Sequence, residues 1–70
     1  MLNKMNSIQV MDRIVKNHQA EKIDGVLVDM FTASAVMKVY NAVNDNNKAK
    51  MNDMGPVQLA NLAFKIMEKY

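Results

Sequence analysis

The most constraining feature of the sequence is a predominantly apolar stretch over residues 23–43, near the centre of the chain. It is nearly long enough to span a bilayer, but Asp29, Lys38 and Asn41 interrupt it. A charge at the middle of a membrane costs roughly 2.5–3.5 kcal/mol on insertion scales. We therefore expect no membrane-spanning segment, and we expect the rest of the chain to pack around this stretch.

The length of the chain limits the fold to one small domain. Seventy residues bury little surface, and a core of this size contributes only a few kcal/mol of net stability. We expect a single helical domain over residues 1–70, with residues 1–6 disordered and no signal peptide. The absence of Cys excludes disulfides and fits a reducing cytoplasm. Association with a partner is the remaining means of stabilisation.

Hydrophobic spacing predicts an all-α fold, a small bundle of three to four helices at about residues 8–18, 25–43, 45–53 and 56–69. In the first helix, Ser7 is a suitable N-cap, and Ile8, Met11 and Val15 follow on one face. His18 lies at the C-terminal end, where we expect it to pack its ring and to interact with the last helical carbonyl groups.

The sequence predicts a second helix but leaves two possibilities for its first residue. The Asp24-Gly25 pair is typical of a turn or of a helix N-cap. The segment 26–28 (Val-Leu-Val) would suit a strand, but residues 19–23 read as a polar connection that offers no pairing partner. The helix either runs continuously over 25–43 or restarts with Thr32 as N-cap, and we favour the continuous form.

The last two helices are marked by clear boundary signals. Asn44 is expected to cap the third helix, with Met51 and Met54 as its inner contacts. Gly55 permits a reversal, and Pro56 suits the first position of the fourth helix. That helix carries a wide apolar stripe, formed by Leu59, Ala60, Leu62, Ala63, Phe64, Ile66, Met67 and Tyr70.

The apolar faces are wider than a single small core requires. Apolar residues fill an arc of about 200° on the last helix, whereas a surface helix of a monomer needs only somewhat more than about 100°. The eight Met residues adapt well to partner surfaces. We therefore predict association with a second copy or with another protein. The expected contacts are Met30, Phe31, Val36, Met37, Tyr40, Leu59, Ala63 and Met67.

Catalytic and cofactor-binding patterns are not found in the sequence. The single His is not paired with a nucleophile by any motif, and two Gly residues are too few for a phosphate loop. Asp24 and Asp29 are more simply a helix cap and a first-turn acid or interface hydrogen-bonding group. The run 44–47 lacks the central Gly and closing Glu of a calcium loop. We predict no enzyme activity, no cofactor and no metal.

A helix–turn–helix-like DNA-binding regulator is the alternative prediction. The third and fourth helices, joined at Gly55, could form such a pair, with amides near the start of the second helix. The net charge of +2 is a weak bias, and the exposed face contains no Arg and ends in Glu68. The candidate nucleic-acid contacts are Lys48, Lys50, Gln58, Asn61 and Lys65.

The central part of the sequence also resembles known proteins. The run DGVLVDMFTASA at 24–35, followed by VYNAVN at 39–44 and NKAK at 47–50, resembles small uncharacterised proteins encoded by tailed bacteriophages. The resemblance covers most of residues 22–67. It implies a phage protein that acts in the cytoplasm of a bacterial host, in assembly or host modulation or as a DNA-binding regulator. It carries over no catalytic residue.

Overall fold

The computed structural model describes residues 5–68, which form four helices and a short two-stranded hairpin. The predicted helical character is confirmed, but the domain is not purely α-helical. The elements in chain order are α1 (Ser7–Asn17), β1 (Glu21–Ile23), β2 (Val26–Val28), α2 (Met30–Ala42), α3 (Asp45–Asn52) and α4 (Pro56–Met67).

Helix α1 begins with a reciprocal cap. The backbone N–H of Gln9 donates to Asn6 Oδ1 at 2.8 Å, and the N–H of Asn6 donates to Gln9 Oε1 at 2.9 Å. Such a capping box satisfies two helix-end donors. The prediction of Ser7 as N-cap is therefore wrong by one residue, and Ser7 is instead buried in the first turn. Asn6 lies within the segment that was expected to be disordered, and residues 1–4 of that segment lie outside the described part of the chain.

The end of α1 is a left-handed cap at His18. Its φ is 54°, and its backbone N–H donates to the carbonyl of Ile14. The predicted position at the helix end is confirmed. The predicted packing of the His18 ring is wrong, because the side chain is exposed.

The segment after α1 forms the hairpin that sequence reasoning missed. Ile23 pairs with Val26 in antiparallel register, so Asp24 and Gly25 form a two-residue turn. Both turn residues have positive φ, 50° and 81°, as in the turns whose twist matches that of a hairpin. The helix predicted from residue 25 is therefore wrong over residues 25–29, where the chain forms the turn, β2 and the cap of α2.

One ion pair fastens the hairpin to α1. The Arg13 guanidinium donates to both carboxylate oxygens of Glu21, at 2.8 and 2.6 Å. This hydrogen bonding raises the pKa of Arg13 and lowers the pKa of Glu21, with the attraction of the opposite charges acting in the same direction. The pair is bidentate and links an exposed side chain of α1 to the first residue of β1.

Helix α2 begins at Met30 because Asp29 caps it. The Thr32 backbone N–H donates to Asp29 Oδ1 at 2.7 Å, which lowers the pKa of the carboxyl. Neither predicted start is correct, since the helix neither runs through from residue 25 nor restarts with Thr32 as N-cap. Asp29 is the cap rather than a first-turn acid.

The boundaries of α3 and α4 agree closely with the sequence signals. The Asn47 N–H donates to Asn44 Oδ1 at 2.9 Å, which confirms the predicted cap. Pro56 is the first residue of α4, also as predicted. The predicted last residue of this helix, Lys69, lies outside the described residues.

The core lies where α1 packs on α2 and α2 packs on α4. The hairpin covers it with Ile23 and Val28, and α3 adds Met51. Three of the buried helix residues are alanines, Ala33, Ala35 and Ala63. The buried apolar residues are Ile8, Val10, Met11, Ile14, Ile23, Val28, Ala33, Ala35, Val36, Val39, Met51, Leu59 and Ala63.

Candidate functional site: an aromatic patch between two helices

The most exposed large apolar side chain among residues 5–68 is Phe31, at 71%. Its ring stacks on that of Phe64, with centroids 5.9 Å apart and an interplanar angle of 21°. Phe31 lies in the first turn of α2, and Phe64 lies near the end of α4. The cap at Asp29 therefore positions one ring, and the packing of α4 on α2 positions the other.

Neighbouring side chains extend the stacked pair into a continuous surface. A shallow groove of about 230 Å³ is lined by Phe31, Ser34, Ala35, Lys38 and Met67. The four α2 residues are spaced i, i+3, i+4 and i+7, so they share one face of the helix. We call Phe31, Phe64 and Met67 the aromatic patch.

Charged side chains lie near the aromatic patch. Lys38 is exposed at the edge of the groove, and Glu68 is exposed directly after Met67 in the chain. Met30, which precedes Phe31, is a further exposed apolar side chain at 41%. Lys38 and Glu68 therefore provide exposed charges of opposite sign near this apolar area.

Only part of the predicted contact set lies at the surface. Met30, Phe31 and Met67 are exposed. Val36, Leu59 and Ala63 are completely buried, so the prediction that these three contact a partner is wrong. They belong to the side of the apolar arc that packs inside the domain, and the sequence does not divide such an arc into an inner and an outer part.

Two further predicted contact residues are half-buried. Met37 packs against the core. The Tyr40 hydroxyl donates to Asn52 Oδ1 at 3.2 Å, and Lys48 Nζ lies 5.7 Å from the Tyr40 ring centroid. Tyr40 therefore joins α2 to α3 within the chain.

Phe64 is the residue of the aromatic patch that was absent from the predicted contact set. Phe64 widens the apolar stripe of the last helix, and this was the one feature of the sequence that could have indicated a surface contact. Its pairing with Phe31 depends on how α4 crosses α2, and that crossing is not encoded in the local pattern of either segment.

The residues proposed for nucleic-acid contact are only partly brought together. Gln58, Asn61 and Lys65 are all exposed and share one face of α4. Lys50 is exposed on α3, whereas Lys48 is half-buried above the Tyr40 ring. The main helix contact of α4 is with α2 rather than with α3, unlike the helix pair that the prediction assumed.

Neither a metal-binding cluster nor a membrane-spanning helix is found among residues 5–68. Within residues 5–68, no three His, Asp or Glu side chains are grouped so that they could hold a metal ion. In this part of the chain, no helix has the length and apolar character needed to cross a membrane.

Comparison with known proteins gave no match among protein-family models, curated proteins or solved structures. The resemblance to small phage proteins has no support from these comparisons and stays a prediction. We therefore infer the function from the surface of the domain.

Proposed function

We propose that the protein is a small interaction module that self-associates through the aromatic patch. The observation that carries the proposal is the 71% exposure of Phe31 in a ring stack with Phe64. Fully burying a side chain of this kind contributes about 1.5–3 kcal/mol. Phe64 is half-buried beneath Phe31, and exposed Met30 and Met67 lie nearby, so apolar side chains are exposed together here, as they are at protein–protein contacts.

A second copy is the occupant that suits this surface. A two-fold dimer places the same patch on both sides, so apolar area meets apolar area. Aromatic rings add favourable offset or edge-to-face contacts across such an interface. Lys38 and Glu68, which have opposite charges, provide complementary groups near the border. Such a module would suit either assembly or host modulation in a bacterial cytoplasm, the roles that the phage resemblance implies.

The size of the aromatic patch sets the expected affinity. Three large side chains and their neighbours fall at the low end of interface sizes, below about 1,200 Å² of total buried surface. Interfaces of that size are typical of weak or transient association. We therefore expect a dissociation constant in the micromolar range or weaker.

Sedimentation equilibrium from about 10 μM to 1 mM protein tests the proposal. We expect a reversible monomer–dimer equilibrium that Phe31→Ser weakens at least about tenfold, since it removes most of the central contact. Leu27→Ser is the matched control, because Leu27 is 66% exposed on the hairpin outside the aromatic patch. A strict monomer over this range, or equal weakening by both variants, would refute self-association through this surface.

A helix–turn–helix-like DNA-binding regulator is the second candidate. It is favoured by the exposed face of α4 that presents Gln58, Asn61 and Lys65. Phosphate contacts release counterions, so binding to a DNA duplex must weaken steeply with salt. Fluorescence anisotropy with a labelled duplex tests this candidate at roughly 20–300 mM salt, a range over which counterion release changes the affinity strongly. Lys65→Gln is the variant, and Lys22→Gln on the hairpin is its control. Absence of binding at the lowest salt would exclude this candidate.

A further inference from the structure

A second apolar depression lies where α2, α3 and α4 meet. Six apolar side chains line it: Val39, Val43, Met51, Met54, Leu62 and Ile66. We call it the three-helix groove. Its volume is about 240 Å³. This is larger than a cavity of about 150 Å³ that holds benzene, and smaller than the roughly 300–1,000 Å³ of drug-sized ligand sites. The groove therefore fits one short aliphatic chain.

One wall of the three-helix groove changes from polar to apolar. Asn47 and Lys50 complete the lining, Met51 continues the same face of α3 at helical spacing, and Met54 lies just beyond the end of that helix. The two Met side chains are unbranched and adapt to the shape of a ligand. A ligand lying along α3 would thus meet hydrogen-bond donors first and an apolar surface after them.

The charge of the groove comes from Lys50 alone among its lining residues. Neither of the ion pairs described within residues 5–68 involves Lys50, and its side chain is exposed. No acidic side chain is among the described residues that line the groove. The groove therefore favours an anionic group over a cationic one at its polar end.

From this juxtaposition we infer that the three-helix groove binds a short aliphatic carboxylate. The carboxylate accepts hydrogen bonds from Lys50 Nζ and from the amide of Asn47, and the chain lies on Met51, Met54 and Leu62. This site is separate from the aromatic patch and does not depend on self-association.

Titration of the full chain with octanoate, followed by ¹H–¹⁵N and Met methyl NMR shifts, tests the inference. We expect saturable shifts confined to α3 and the facing parts of α2 and α4, with a dissociation constant on the order of 1 mM. Octyltrimethylammonium has the same chain and the opposite charge, so it should bind at least about tenfold more weakly. Equal binding of the two amphiphiles, or no saturable shift, would overturn the inference.

Two lysine variants locate the site. Lys50→Met should raise the dissociation constant of octanoate about three- to tenfold, because it removes an exposed charge-assisted hydrogen bond. Lys38→Met is the matched control, since Lys38 lines the groove beside Phe31 and should leave the constant unchanged. An effect confined to Lys38→Met, or shifts centred on Phe31, would place the ligand elsewhere and contradict the assignment. Repeating the titration with Phe31→Ser protein separates this result from any effect of dimer formation.

Discussion

A single carboxylate, that of Asp29, fixes where the central helix begins. It accepts the Thr32 N–H at 2.7 Å, and the helix then presents Phe31 in its first turn. An acidic N-cap also interacts favourably with the positive end of the helix dipole. The exposed ring of the aromatic patch is therefore positioned by a residue that does not belong to it.

The Asp29 cap should make stability depend on pH. The hydrogen bond from Thr32 holds the pKa of Asp29 below the value near 3.9 of an unfolded Asp. Because the folded-state pKa is the lower one, its contribution is fully present well above about pH 4 and is lost as the pH falls through the folded-state pKa. We expect the urea midpoint to decrease below about pH 4, and to decrease less in Asp29→Asn, which keeps a cap acceptor without a titrating group. An unchanged pH slope in Asp29→Asn would contradict this account.

Leu59 distinguishes a core role from an interface role. It is completely buried between the helices, so Leu59→Ala should lower the free energy of unfolding by about 2–5 kcal/mol. Val57→Ala is the control, because Val57 is 55% exposed on the same helix and should change stability little. Urea denaturation measures both. If Leu59→Ala weakened dimer formation but left the unfolding midpoint unchanged, the residue would have to face a partner after all.

At the scale of elements, local signals predicted the helix ends better than the hairpin. Asn44 and Pro56 act through groups within a few residues, so their roles could be predicted from the sequence. The strand over residues 26–28 was recognised as a possible strand and then rejected, because its partner, residues 21–23, begins with two charged residues and resembles a polar connection. The pairing of residues 21–23 with residues 26–28 is favoured by the burial of Ile23 in the core. A strand of three residues is too short to show this burial as a periodic pattern in the sequence.

The turn of the hairpin gives a test at this scale. Gly25 has a φ of 81°, a conformation that costs residues with a Cβ atom roughly 1–2 kcal/mol. Gly25→Ala should therefore destabilise the domain by about that amount in urea denaturation, although no atom would clash with the new methyl group. Gly55→Ser is the control, because Gly55 has a φ of −78° and Ser is a good N-cap there. Equal stability of wild type and Gly25→Ala would mean that the turn is not formed as described.

At the scale of the whole molecule, the dimensions explain why apolar surface remains exposed. The domain measures 39 × 24 × 20 Å, and a helix with its side chains is about 10–12 Å across. Such a thickness holds two layers of helices, so the wide apolar arcs of α2 and α4 are covered on the inner side only. The surplus was predictable from the sequence. Which apolar residues are buried, such as Leu59, and which are exposed, such as Phe31, depends on how the helices are positioned relative to one another, and this could not be predicted.

Stability should also be uneven across the molecule, with α3 as its least stable helix. Only Met51 of α3 is buried, whereas α1, α2 and α4 share the main core. Elements with few buried apolar contacts open at a lower free energy than the core. We expect amide hydrogen exchange to be fastest in α3 among the four helices and slowest around Ile14 and Val36.

Met51→Ala should accelerate exchange throughout α3 while leaving the protection of the α1–α2 contact nearly intact, because local opening of α3 does not require the other helices to separate. Uniform exchange rates in all four helices would show that the domain opens only as a unit. Octanoate in the three-helix groove should slow exchange in α3, since a ligand that binds only the closed form stabilises that form by RT ln(1 + L/Kd), where L is the free ligand concentration.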